Sequence, residues 1–125
     1  MAKVIRVEQG WPAHLCVGSW CRFRRNTLLT CGRKRIVVST VGAYYPPKHG
    51  EETGPITTIG CHRYYETMAF KAKKIEVYWE ADVTKQVSFE SPWSIDHHNP
   101  NADNEANKMH EAVVAELIRM MRGCQ

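Results

Sequence analysis

The sequence predicts an α+β domain: an antiparallel sheet of about five to seven strands closed by one C-terminal helix. Three observations carry that reading. Two stretches of strand-like residues fold back on themselves across short polar segments, as hairpins do. One apolar stripe at helical spacing runs over residues 102–122. The strands come first and the helix last, which is the order of an α+β chain and not of alternating βαβ units. A chain of 125 residues fits a single domain, 1–125, able to bury its own core. With 43% hydrophobic and 24% charged residues, its composition is that of a folded chain and not a disordered one.

The first strand is expected over residues 3–8, where Val4 and Arg6 alternate with Ile5 and Val7, and Gly10-Trp11-Pro12 ends it. Residues 14–21 carry Leu15, Val17 and Trp20 around Gly18-Ser19, a pattern for two short strands or one bulged strand. The clearest hairpin pairs residues 27–31 with the β-branched run 35–41 across Gly32-Arg33-Lys34. Apolar residues on both faces of 36–41 predict a central strand covered on each side.

Residues 42–55 hold three prolines and three glycines and read as a long loop, the segment expected to be most flexible. A second hairpin is expected to pair residues 64–70 with 75–82, joined by a turn at Lys71-Ala72-Lys73-Lys74. In its second arm Ile75, Val77, Trp79 and Ala81 form the inner face and the acidic residues the outer one. Residues 83–89 offer a further strand interrupted by Lys85. Then Ala106, Met109, Val113, Leu117 and Met120 mark the buried stripe of the helix, widened by Val114 and Met121. Asn99, Asn101 and Asp103 offer caps, and Arg119, Arg122 and Gly123 suit the C-terminal end.

Net charge is +4, unevenly spread. Residues 1–74 hold 13 Lys/Arg against 4 Asp/Glu, a balance of +9, and residues 75–125 carry −5. Either the two halves form a dipole that steers toward a charged partner, or they neutralise each other across sheet and helix. No stretch has the length and apolarity of a membrane span or a signal peptide, so a cytoplasmic protein without a membrane partner is expected. The odd set Cys16, Cys21, Cys31, Cys61 and Cys124 then reads as reduced thiols.

Candidate chemistry is sparse, and no enzyme activity or cofactor is expected. Among the cysteines only Cys16-x4-Cys21 reaches structural-zinc spacing, and no second pair completes it. Cys61-His62, on a strand, would point to opposite faces and form no catalytic dyad. His97-His98 beside Asp96 reads as an exposed loop. Basic and aromatic residues offer more. Arg24 and Arg25 follow Phe23, Arg33-Lys34-Arg35 form a basic tip, Lys71, Lys73 and Lys74 form another, and Tyr44-Tyr45 precede two prolines. Cations neutralise phosphates and rings stack on bases, so this mixture has a mechanism for nucleic acid. The same residue types also dominate protein interfaces. Arg24, Arg25, Arg33, Lys34, Arg35, Tyr44 and Tyr45 are the expected contact residues.

Several motifs also resemble a group of small proteins encoded by bacteriophages and mobile elements. They are Gly10-Trp11-x-x-His14, the run from Cys21-Arg22-Phe23 to Leu28-Leu29, Val37-Val38-Ser39-Thr40-Val41-Gly42 and Arg63-Tyr64-Tyr65-Glu66-Thr67-Met68. Ser88-Phe89-Glu90-Ser91-Pro92-Trp93 and Met109-His110-Glu111-Ala112 continue the similarity. The group carries no assigned activity, so the resemblance implies an origin and no functional residues. By analogy with phage accessory proteins, it implies a stoichiometric binder of a host protein or protein–nucleic-acid complex in a bacterial cell, such as an anti-CRISPR or other anti-defence inhibitor. A nucleic-acid-binding accessory protein using the basic tips is the alternative.

Overall fold

The structure, a computed structural model, describes residues 3–11, 13–14, 20–47 and 54–123. The elements run β1 (Ile5–Gln9), β2 (Cys21–Cys31), β3 (Lys34–Tyr44), β4 (Tyr65–Ile75), β5 (Tyr78–Val87), β6 (Ser94–Ile95) and α1 (Ala102–Gly123). The sheet is antiparallel throughout in the order β1-β2-β3-β4-β5, with β6 returning to pair with β4. This is the expected α+β architecture, with six strands and one C-terminal helix. Among the described residues no helix is long and apolar enough to cross a membrane.

The central strand is β3, buried from Ile36 to Ala43. Its side chains alternate between two layers, which is why the run could be apolar on both faces. On one face Leu29, Ile36, Val38 and Ala69 meet Val113, Val114, Leu117 and Met121 of α1. Further along the same face Phe23 and Tyr65 pack on Ala102, Ala106 and Met109. The other face is covered by Val37, Phe70 and Ala81 with Ala13 against them. There the chain between β1 and β2 crosses the sheet: Asn26 donates to the Trp11 carbonyl (3.0 Å), and the rings of His14 and Phe70 lie 5.8 Å apart.

Several boundaries differ from expectation. The β4–β5 turn is Glu76-Val77, so Lys71, Lys73 and Lys74 lie within β4 and not at a hairpin tip. Val77, expected on the inner face, is 91% exposed at that turn. A register shift between Phe70 and Ala72 breaks the strict alternation that located the turn too early. Residues 83–87 continue β5 and form no separate strand. The predicted loop begins later than expected, since β3 runs through Tyr44, which bridges to Thr57. Met120, placed on the stripe, is 45% exposed, while Met121 is fully buried in its place. Cys61-His62 occupy a turn closed by the Gly60–Arg63 bridge, with His62 at φ 59°, and no strand. The expected strand over 14–21 and much of the 42–55 loop fall on residues 15–19 and 48–53, outside the described residues.

Two turn and strand positions make predictions. A Cβ at Gly42 would overlap the Tyr65 ring and come within 2.7 Å of the Tyr64 carbonyl oxygen. Backbone cannot yield as a flexible side chain can, so Gly42→Ala should cost about 1–3 kcal/mol in urea unfolding. Glu76 holds φ 54° in its two-residue turn. That left-handed conformation is strained for a side chain, so Glu76→Gly should raise stability by roughly 0.5–1 kcal/mol.

Candidate functional site

One end of the sheet gathers several basic side chains that make no ion pair among the described residues. The tight β2–β3 turn, with Gly32 at φ 61°, presents Arg33 and Lys34 to solvent. Register then places Lys71 of β4 opposite Ile36, so the cations of the two hairpins share this end. The helix runs toward it and finishes there, with Met121 seated among Cys31, Ile36 and Leu29. Between these elements opens a cavity of about 340 Å³. Ile36, Ala72, Val87 and Met121 line it, Trp79 and Met120 form part of its wall, and Arg33, Lys34, Arg35 and Lys71 border it. The Arg35 guanidinium sits 4.2 Å from the centre of the Trp79 ring, a cation–π contact. Among the described residues no carboxylate lines the cavity. Among the described residues Arg33, Lys34, Arg35, Lys71 and Lys74 make no ion pair, whereas Lys73 approaches Glu80 at 4.0 Å.

The other expected contact residues lie elsewhere. Arg24 pairs in register with Val41, seven residues from the Cys31–Lys34 pair at the turn. At about 3.3 Å per residue that is roughly 23 Å. Tyr44, opposite Cys21, and Tyr45 stand at the same far end, both half-buried. Tyr45 packs on the Phe23–Tyr65 cluster and carries Arg22 over its ring at 4.0 Å, so its ring serves the fold. Arg25 binds Glu8 (2.7 Å) and Glu111 (3.0 Å). The seven expected contact residues are therefore spread along the sheet, and Arg33, Lys34 and Arg35 are those that border the cavity. Trp79, Lys71 and Met120 join them, and only strand register reveals that they do.

Arg25 belongs to a network between β1, β2 and α1. Arg6 contacts Glu8 (2.5 Å) and Glu111 (2.9 Å), so two arginines and two glutamates neutralise one another. The hydrogen bond from Arg6 holds the Glu111 carboxyl down at about 2. Beneath them His110 is fully buried, its Nε2 at 2.7 Å from Thr27 Oγ1 and its Nδ1 at 2.7 Å from Thr40 Oγ1. A carboxylate has no proton to give, so the Thr27 hydroxyl donates to Glu8 (2.9 Å) and accepts from His110 Nε2–H. His110 Nδ1 then accepts from Thr40, which accepts in turn from Thr67 (2.6 Å). Every proton in the chain points toward Glu8. Burial, helped by the charge of Arg25, pushes the His110 imidazole down to about 4, so it is neutral.

Ligand atoms of Glu8, His110 and Glu111 lie within 4.8 Å of one another, close enough for a cation. The donor set is already engaged: a cation would have to displace both arginines and take Nε2 from Thr27. These residues fit a salt-bridge network better than a metal. Cys21 and Cys31, considered for zinc, stand at opposite ends of β2, and Cys61 is exposed. Cys16 and Cys124 lie outside the described residues. His97, from the histidine pair, contacts Glu105 at 2.9 Å.

A second buried histidine was not legible in sequence as a partner of anything. His14 places Nδ1 at 2.5 Å from Ser39 Oγ and donates through Nε2 to Glu66 (3.2 Å), which also accepts from Arg63 (3.1 Å). The residue types are those of a serine–histidine–acid relay. Ser39, however, is fully buried in β3 and offers no substrate a path. The trio fastens the crossing segment to the sheet. Burial raises the Glu66 carboxyl, but its hydrogen-bonded partners His14 and Arg63 together outweigh it and leave it below the usual range.

No family model, curated protein or solved structure matches the chain. The site is therefore read from its geometry.

The His110 network predicts an acid sensitivity. The folded imidazole titrates near 4 and the unfolded one near 6.5. Above pH 6.5 both states are neutral and nothing is lost, while below it the unfolded chain takes up the proton first. Stability should fall by up to roughly 3 kcal/mol as pH drops from 6.5 to 4. His110→Gln should flatten that part of the profile, measured by urea midpoints across pH.

Proposed function

We propose that the chain is a non-catalytic accessory protein that binds nucleic acid through the basic end of its sheet. One observation carries this reading: cations without carboxylate partners among the described residues, Arg33, Lys34, Arg35 and Lys71, border a cavity walled by an indole. Phosphates are the chemistry such cations select, and an aromatic wall suits a base. The phage-type resemblance fits the same picture. A host defence complex, if that is the target, is then engaged through its nucleic acid, and inhibition follows from occupying that strand.

Binding of a labelled oligonucleotide across a salt series tests the proposal. The logarithm of affinity should fall linearly with the logarithm of salt, with a slope of about −0.7 for each phosphate neutralised on a single strand. The double reversal Arg33→Glu/Lys34→Glu should weaken binding at least about tenfold and make the slope shallower by about 1.4. An affinity indifferent to salt and to that double reversal contradicts the proposal. Host proteins captured from a lysate and retained after nuclease treatment would also contradict it, since the contact would then be with protein.

A further inference from the structure

The basic end has two features that duplex binding does not use. A double helix shows a protein its phosphates and groove edges while its bases remain stacked, and a patch of surface cations is sufficient for that. Here the cations border a cavity, and the cavity is lined chiefly by hydrocarbon, from Ile36, Ala72, Val87 and Met121. At about 340 Å³ it stands near the lower end of small-ligand pockets, roughly 300–1,000 Å³, and is suited to one flat group. Phosphate has no reason to enter such a lining, because desolvating it there is costly. An unstacked base does.

The wall is built for a planar guest. Arg35 is already stacked on Trp79 at 4.2 Å, and both present π-faces on which bases stack. Met120, at the exposed end of the helix, adds a polarizable thioether that adapts to a ring edge. Its 45% exposure, anomalous for a helix-stripe methionine, is what brings it to the cavity mouth. Among the described residues the lining supplies no carboxylate, amide or hydroxyl side chain to read base edges. Stacking without such readers is tolerant of sequence.

We propose that this cavity takes one unstacked base of a single-stranded nucleic acid, stacked against Trp79 and Arg35 and flanked by Met120, with the adjoining phosphates on Arg33, Lys34 and Lys71. The inference rests on the nucleic-acid reading above and adds the strand class: single strands are preferred to duplexes, with little dependence on sequence. An acidic peptide carrying an apolar anchor has a related shape and charge. The stacked Trp79–Arg35 pair, and a described lining whose hydrogen-bonding side chains are all donors with no carboxylate, amide or hydroxyl to accept from a peptide N–H, favour the base.

The test compares a short oligothymidylate with the corresponding dA·dT duplex by fluorescence anisotropy, at one salt concentration and on the full chain. Wild type should bind the single strand at least about tenfold more tightly than the duplex. Trp79→Ala should lose about five- to hundredfold on the single strand, the range of one base–aromatic stack. Its duplex affinity should be unchanged, which also shows that it is folded. Trp79→Phe keeps a stacking ring and should retain the preference. Equal affinity for both strands, unmoved by Trp79→Ala, overturns the base pocket and leaves the phosphate-binding reading standing. Binding of neither overturns both, and binding of poly-glutamate in place of either assigns the cavity to an acidic polypeptide.

Discussion

The placement of everything else depends on where His110 is held. The apolar stripe of α1 secures the helix to the sheet, but hydrophobic burial is non-directional and would tolerate a shift of the helix along its axis. The buried imidazole does not. Its two nitrogens reach Thr27 on β2 and Thr40 on β3, and Thr40 reaches Thr67 on β4, so three strands are read by one side chain. A displacement by one turn, about 5.4 Å, would leave both ring nitrogens buried without these partners and take one hydrogen bond each from Thr27 and Thr40. Each such group costs about 1–3 kcal/mol, far more than its hydrogen bond contributes when made. A fully satisfied polar network in an apolar interface thus specifies a position that packing alone leaves loose. With His110 fixed, Met120 and Met121 come to rest beside the β2–β3 turn, and the cavity follows.

Charge is divided by the same geometry. The basic half of the sequence and the acidic half meet along the seam between β1, β2 and α1, where Arg6 and Arg25 bind Glu8 and Glu111. Of the two carboxylates Glu111 comes from the acidic half and Glu8 from the basic half, so the seam cancels a small part of the dipole implied by the sequence. At the β2–β3 end Arg33, Lys34, Arg35 and Lys71 make no ion pair among the described residues, so their charge stays local to that end. The excess is therefore set at an edge of the fold, beside an aromatic wall.

How much of this was legible in the sequence depended on whether the signal was local. The β2–β3 hairpin could be read because Gly32 marks its turn and β-branched residues fill its second arm. The helix could be read because its stripe, caps and terminal arginines agree. The β4–β5 turn could not, since Glu76-Val77 contains no turn-forming residue and the register shift after Phe70 disrupts the alternation. The run of lysines resembled a turn only through its charge. At the candidate site Arg33, Lys34 and Arg35 were visible because they are contiguous. Trp79, Lys71 and Met120 come from three different elements, and only register brings them together. The partners of Arg25 and Tyr45 were hidden for the converse reason: nothing adjacent in sequence announces that Glu8, Glu111 or the Phe23 cluster will contact them. His110 stood in a recognised helix, but its threonine partners are 83, 70 and, through Thr40, 43 positions away.

The most direct measurement is amide and side-chain chemical-shift mapping of the labelled protein titrated with a single-stranded oligonucleotide. The account predicts that the largest changes fall on Arg33–Arg35, Lys71, the Trp79 indole N–H and the Met120 methyl group, while Tyr44, Tyr45 and Arg22 at the far end stay still. Changes concentrated at that far end, or spread evenly over the sheet, would contradict it.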